Sequence, residues 1–134
     1  MPHNTFDTKH ITLFAESKTN GATSSASFDT RGFGEVSIRL SSTTTHAPSV
    51  LKVEQSDDNS TWVSAGLTGG TDFTIGASSG TTEALAVLDV NLVGKQRYLK
   101  LTVSPTATQI LTAHASLGRA GQTPAQGAAS SAVA

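Results

Sequence analysis

"GEVSIRLSSTT", residues 34–44, has the periodicity of an extended chain. Val36, Ile38 and Leu40 alternate with Glu35, Ser37, Arg39 and Ser41, so an extended backbone places every apolar side chain on one face. At helical spacing the same three apolar residues would point to different sides of the axis. The segment is a half-buried strand. "SVLKVEQ" (49–55) likewise turns Leu51 and Val53 inward and Lys52 and Glu54 outward. "RYLKLTV" (97–103) sets Leu99, Leu101 and Val103 against Lys100 and Thr102, and "ILTAHASLG" (110–118) sets Leu111, Ala113, Ala115 and Leu117 against Thr112, His114 and Ser116. "HITLF" (10–14) and "ASFDT" (26–30) are shorter pieces of the same kind.

"TTEALAVLDVNL" (81–92) is less regular. Ala84, Ala86, Leu88, Val90 and Leu92 alternate, yet Leu85 and Val87 are apolar on the opposite face. A strand covered on both sides explains this, and so does a short helix through "EALAVL". The alternation continues through Asp89 and Asn91, which favours the strand. Turn signals separate these runs: "TRGFGE", "THAPS", "SDDNS", "LTGGT", "GASSG", "LVGKQ" and "SPTA". Their spacing is near the roughly 8–12 residues of short antiparallel strands. Eight or nine such strands predict an all-β antiparallel sandwich of jelly-roll or related Greek-key type.

Composition agrees. Ser and Thr make up 37 of 134 residues, Gly adds 12, and charged residues are only 14%. Thr and Val suit a pleated surface, Gly and Ser suit turns, and long runs of helix formers are missing. A chain of this length buries enough surface for one two-layer core. With no cysteine, disulfides, thiolate metal sites and cysteine nucleophiles are excluded. A net charge of −1 supplies no field for a nucleic-acid backbone. No apolar run approaches the ~18 residues of a membrane span, and "MPHNTFDTKH" has no secretory pattern. These features predict a protein made in a cytoplasm, without nucleic-acid or membrane partners.

The ends differ from the middle. "GQTPAQGAASSAVA", residues 121–134, has no periodicity and almost nothing large enough to pack. Such a segment does not offset its ordering entropy alone, which predicts an arm or disordered tail. Its sharper form is an arm ordered against a neighbouring subunit. The expected organisation is an N-terminal arm at 1–7, a β-sandwich domain at 8–120 and the C-terminal arm at 121–134.

No chemistry stands out. His3, His10, His46 and His114 are not spaced to act together, and no zinc-protease or nucleophile-elbow motif occurs. The expectation is no enzyme, no catalytic residue, no cofactor and no metal. "SDDNSTW" (56–62) is the sharpest candidate, because Asp57 and Asp58 are adjacent carboxylates and Trp62 is the single tryptophan. It lacks the alternate oxygen spacing and terminal Glu of a calcium loop. Asp and Asn are also the residues that close tight turns on their own backbone, so Asp57, Asp58 and Asn59 are predicted to be a hairpin turn. A sugar platform would need several exposed rings. Phe28, Phe73 and Tyr98 sit in strand-like segments, and Trp62, at the start of another, is expected to pack against a sheet and hold it to its partner. The glycine-rich "GLTGGTDFTIGASSGT" (66–81) lacks the lysine of a phosphate loop and is expected to connect a hairpin.

The order "DTKHITLFAES", "GFGEVSIRL", "LKVEQSDDNSTWVSAG" and "RYLKLTVSPTATQILTAHASLGRAGQTP" resembles the small cement, or decoration, proteins of tailed-bacteriophage capsids, of the jelly-roll type. The likeness spans most of residues 7–125. It implies a structural virion protein on the capsid exterior, made in the bacterial host cytoplasm. Such a protein binds the major capsid protein at subunit junctions, stabilises the head, and is a homo-oligomer, dimer or trimer. No catalytic residue transfers from the family. The alternative is a carbohydrate-binding β-sandwich module of a phage tail or adhesin protein.

Overall fold

The computed structural model describes residues 8–43, 46–76, 84–118 and 128–133. Nine strands occur among them: β1 (Lys9–Lys18), β2 (Ser24–Asp29), β3 (Glu35–Ser42), β4 (Val50–Ser56), β5 (Val63–Thr68), β6 (Ala84–Asn91), β7 (Tyr98–Ser104), β8 (Gln109–Gly118) and β9 (Ala128–Val133). They form a five-stranded sheet, β1-β8-β3-β6-β9, and a four-stranded sheet, β2-β7-β4-β5. The first eight strands give the jelly-roll order. β4 pairs with β5, β3 with β6, β2 with β7 and β1 with β8, all antiparallel, with successive pairs alternating between the sheets.

The alternating residues do what their spacing predicts. Val36, Ile38 and Leu40 of β3 meet Leu51 and Val53 of β4, Leu99, Leu101 and Val103 of β7, and Leu111, Ala113, Ala115 and Leu117 of β8 in one core. Each of these is at most 1% exposed. β6 is a strand with both faces buried: Ala86, Leu88 and Val90 belong to the core, and Leu85 and Val87 are also hidden. That explains its apolar run without a helix.

β1 is longer than the five residues "HITLF" suggested. Its register on β8 shifts between Thr12 and Phe14, so Leu13 is an extra residue and the inward face changes phase. A bulge of this kind bends an edge strand and breaks the alternation by which it would be read. β5 carries another register shift opposite Val53 and Glu54, where Gly66 adopts a φ of 91°.

Part of the expected C-terminal arm is a strand. β9 runs parallel to β6, with Ala86 opposite Ser130 and Leu88 opposite Ala132. Edge pairing is made by backbone groups, so it needs no apolar periodicity in the added segment. It is the single parallel pairing among the described strands. The expected N-terminal arm at 1–7 and the stretch 119–127 lie outside the described residues, as does most of "GASSG".

Candidate functional site

The "SDDNS" segment is the β4–β5 turn. Asn59 takes the left-handed conformation, with φ at 60°. The Asp58 carboxylate accepts hydrogen bonds on Oδ1 from the Ser56 hydroxyl at 2.8 Å and from the backbone N–H groups of Ser60 and Thr61, each at 2.9 Å. The Thr61 N–H, then the Ser56 hydroxyl, then the Ser60 N–H hold its carboxyl below the usual range. The depressed group contributes stability at neutral pH, which is lost as pH falls through its folded-state pKa. Asp57 is exposed at the tip. The two neighbours are thus unequal. Asp58→Ala is expected to lower the thermal midpoint clearly and Asp57→Ala to leave it nearly unchanged, as read by thermal unfolding at pH 7.

Trp62 departs from expectation. It lies outside the core cluster and before β5 begins, half-buried, with the Lys100 ammonium 4.6 Å from the centre of its ring. Lys100 occupies the outer face of the four-stranded sheet, where Glu54 lies 3.8 Å from it and Lys52 3.7 Å from Glu54. Trp62 therefore caps that outer face and does not clamp one sheet to the other. Its indole face is in use as a cation partner. Phe73 also differs: it forms one bridge to Gly69 and packs at the core margin, not within a strand.

At one end of the sandwich, Arg97 grips Asp29 through two bonds, Nε to Oδ1 at 3.1 Å and a terminal nitrogen to Oδ2 at 2.7 Å. This fork, with the Arg31 N–H, lowers the Asp29 carboxyl to about 2. Both side chains are more than a third exposed, so solvent screening leaves the pair little weight in stability. It ties the end of β2 to the start of β7.

The outer face of the five-stranded sheet holds a concave feature. A cleft of about 170 Å³ is lined by Thr8 and His10 at the start of the chain, Ser116 and Gly118 of β8, Glu35 and Ser37 of β3, and Asp89 of β6. Register builds it. Ser37 sits opposite both Ser116 and Asp89, which makes Glu35 and Asp89 diagonal neighbours on one face. Glu35 lies opposite Gly118, whose missing side chain leaves room beside the carboxylate. Asp89 is only 3% exposed. Its Oδ2 and the Glu35 Oε2 are both buried without a hydrogen-bond partner. Burial first, and the nearby Asp89 carboxylate second, push the Glu35 carboxyl above its usual range. Protonation of Glu35 therefore favours the folded state. That contribution is present at low pH and is lost as pH rises through its folded-state pKa.

His10 and His114 come nearer each other than their sequence separation implies, on neighbouring strands β1 and β8. Each bonds a hydroxyl, His10 Nδ1 with Ser116 Oγ at 3.0 Å and His114 Nδ1 with Thr12 Oγ1 at 3.4 Å. Among the described residues, no three His, Asp or Glu side chains gather closely enough to share a metal ion. The Glu35–Asp89 pair escapes sequence reading because it depends on the β3–β6 register. Its one trace is an aspartate inside the apolar run "AVLDV".

No family model matches the chain, and no curated protein matches it. Among solved structures, the fold is similar to that of the SPBc2 prophage-derived protein YomS, with a TM-score of 0.55 and 21% identity over 83% of this chain and 92% of that one. It is also similar to the PBSX exported protein XepA, with a TM-score of 0.60 and 16% identity over 93% of this chain. The chain spans 44% of XepA. At these identities the likeness is one of fold.

Proposed function

We propose that this chain is a structural protein of a phage virion, a head cement that binds the major capsid protein at subunit junctions and has no catalytic role. The observation that carries the reading is the jelly roll itself, shared over most of both chains with the prophage-derived YomS. The resemblance of its strand sequences to phage cement proteins points the same way. A cement needs a rigid domain and edges that can pair with neighbours. Here the β6 edge accepts an added strand, β9, by backbone pairing. The same mode would let a C-terminal segment bind along a neighbouring subunit, and many weak contacts of this kind reinforce one another on a symmetric shell. The carbohydrate-module alternative has less support, because the Trp62 ring is engaged by Lys100.

Removal of Gly121–Ala134 tests the reading. The truncated protein should remain folded, since the eight jelly-roll strands lie outside the deletion. Its decoration of expanded, empty phage heads, counted by electron cryomicroscopy, should weaken by roughly tenfold or more. Equal decoration by the folded truncated protein would count against an attaching arm. Failure of the full-length protein to bind any head would count against cement.

A further inference from the structure

The Glu35–Asp89 cleft is costly as it stands. A carboxylate oxygen buried without a donor gives up its hydration and gains nothing in return, and a second carboxylate beside it adds repulsion. Asp89 meets both conditions, being almost fully buried with Oδ2 unpartnered and facing the cleft that Glu35 shares. Among the described lining residues there is no lysine or arginine to neutralise the pair. We infer that the cleft is a binding site for a hard divalent cation, calcium or magnesium, held by the carboxylates of Glu35 and Asp89.

The donor set selects this class. Besides the two carboxylates, Ser37 lines the cleft, and a hydroxyl oxygen of this kind suits hard cations. Softer metals such as zinc draw on thiolates and clustered imidazoles. The chain has no cysteine, and His10 Nδ1 is engaged with Ser116. A volume of about 170 Å³ admits an ion with about four waters, each taking roughly 30 Å³ of liquid volume. Calcium and magnesium both complete a shell with water when a protein provides only two carboxylates. The site joins β3 to β6 and lies beside the start of β1, so its occupation would brace the five-stranded sheet. The inference is independent of the capsid reading.

Thermal unfolding of the full chain at pH 7 tests it, with calcium chloride, magnesium chloride or potassium chloride at matched ionic strength. A divalent ion at about ten times its dissociation constant should raise the midpoint by about 4 °C over potassium. Glu35→Gln and Asp89→Asn should each abolish that rise. Without divalent ions both variants should melt higher than the natural protein, because each removes one of two adjacent carboxylates. A second measurement does not depend on the variants folding. In ¹H–¹⁵N spectra of the natural protein, calcium should move the amides of Glu35, Ser37 and Asp89 and leave those of the Asp57–Ser60 turn in place. An equal rise in the variants, no rise in the natural protein, or shifts confined to the turn would overturn the assignment.

Discussion

Leu101→Ala should lower the unfolding free energy by about 3 kcal/mol, several times the effect of an ordinary surface substitution. Leu101 is fully buried on β7, between Ala26 of β2 and Val53 of β4. β7 is an interior strand of its sheet, paired on both edges, so neighbours on either side hold the backbone in place. Removing the isobutyl group loses its transfer free energy and leaves a cavity that this framework does not collapse to fill. In urea the midpoint should fall while the slope stays unchanged, because the same surface is exposed on unfolding. The thermal midpoint should fall by roughly 10 °C. Ile110→Ala is the matched control. Ile110 is 51% exposed on the outer face of β8, and its truncation should stay within about 0.5 kcal/mol.

Gly69→Ala should cost about 2 kcal/mol for the opposite reason, an atom too many. A Cβ at Gly69 would lie 2.6 Å from two side-chain carbons of Ile75 and 2.7 Å from the Leu51 carbonyl oxygen. The Ile75 side chain could yield, but the Leu51 oxygen belongs to the backbone of β4. That oxygen also accepts the Gly69 N–H at 2.8 Å, so moving away to relieve the clash gives up the bond that extends β5 along β4. The thermal midpoint should drop by roughly 6 °C. Shortening Ile75 to Ala in the same background should not restore it. Recovery in the double variant would mean that the side-chain contact alone had been the obstacle.

Much of this fold is legible in sequence wherever a strand has one wet face and one dry face. β3, β4, β7 and β8 keep strict alternation because each is interior to its sheet and aligned without bulges over most of its length. β6 is legible from an alternation that continues through Asp89 and Asn91, and its excess of apolar residues reflects cover on both faces. The edges are harder. In β1 the extra residue at Leu13 moves the dry face out of phase, and in β5 the residues "VSAGLT" are small and interrupted by Gly66. β9 has no pattern at all, since its pairing is carried by the backbone.

The candidate sites divide in the same way. A turn is local, so Asp58 and Asn59 reveal it within five residues. Trp62 misleads because its type suggests the core, whereas its position just before β5 sends it over Lys100. Glu35 and Asp89 are separated by most of the middle of the chain, and only the register that brings Ser37 opposite Asp89 makes them neighbours.

The nested pairing of the jelly roll bears on how fast the chain can find its structure. Contacts range from Gln55 with Ser64, nine residues apart, to His10 with Ser116, 106 apart, and each pair of strands encloses the pair before it. Closing the widest loop first would incur its full entropic cost before any inner contact stabilised it. Assembly is cheapest from the inside outward: the β4–β5 hairpin first, then β3 with β6, β2 with β7, and β1 with β8 last. With so few local contacts the domain belongs among slow folders, on the order of milliseconds to seconds. On this order the turn at Ser56–Ser60 closes the innermost pair of strands, so Asp58→Ala is expected to slow refolding as well as to lower stability, as read by stopped-flow kinetics.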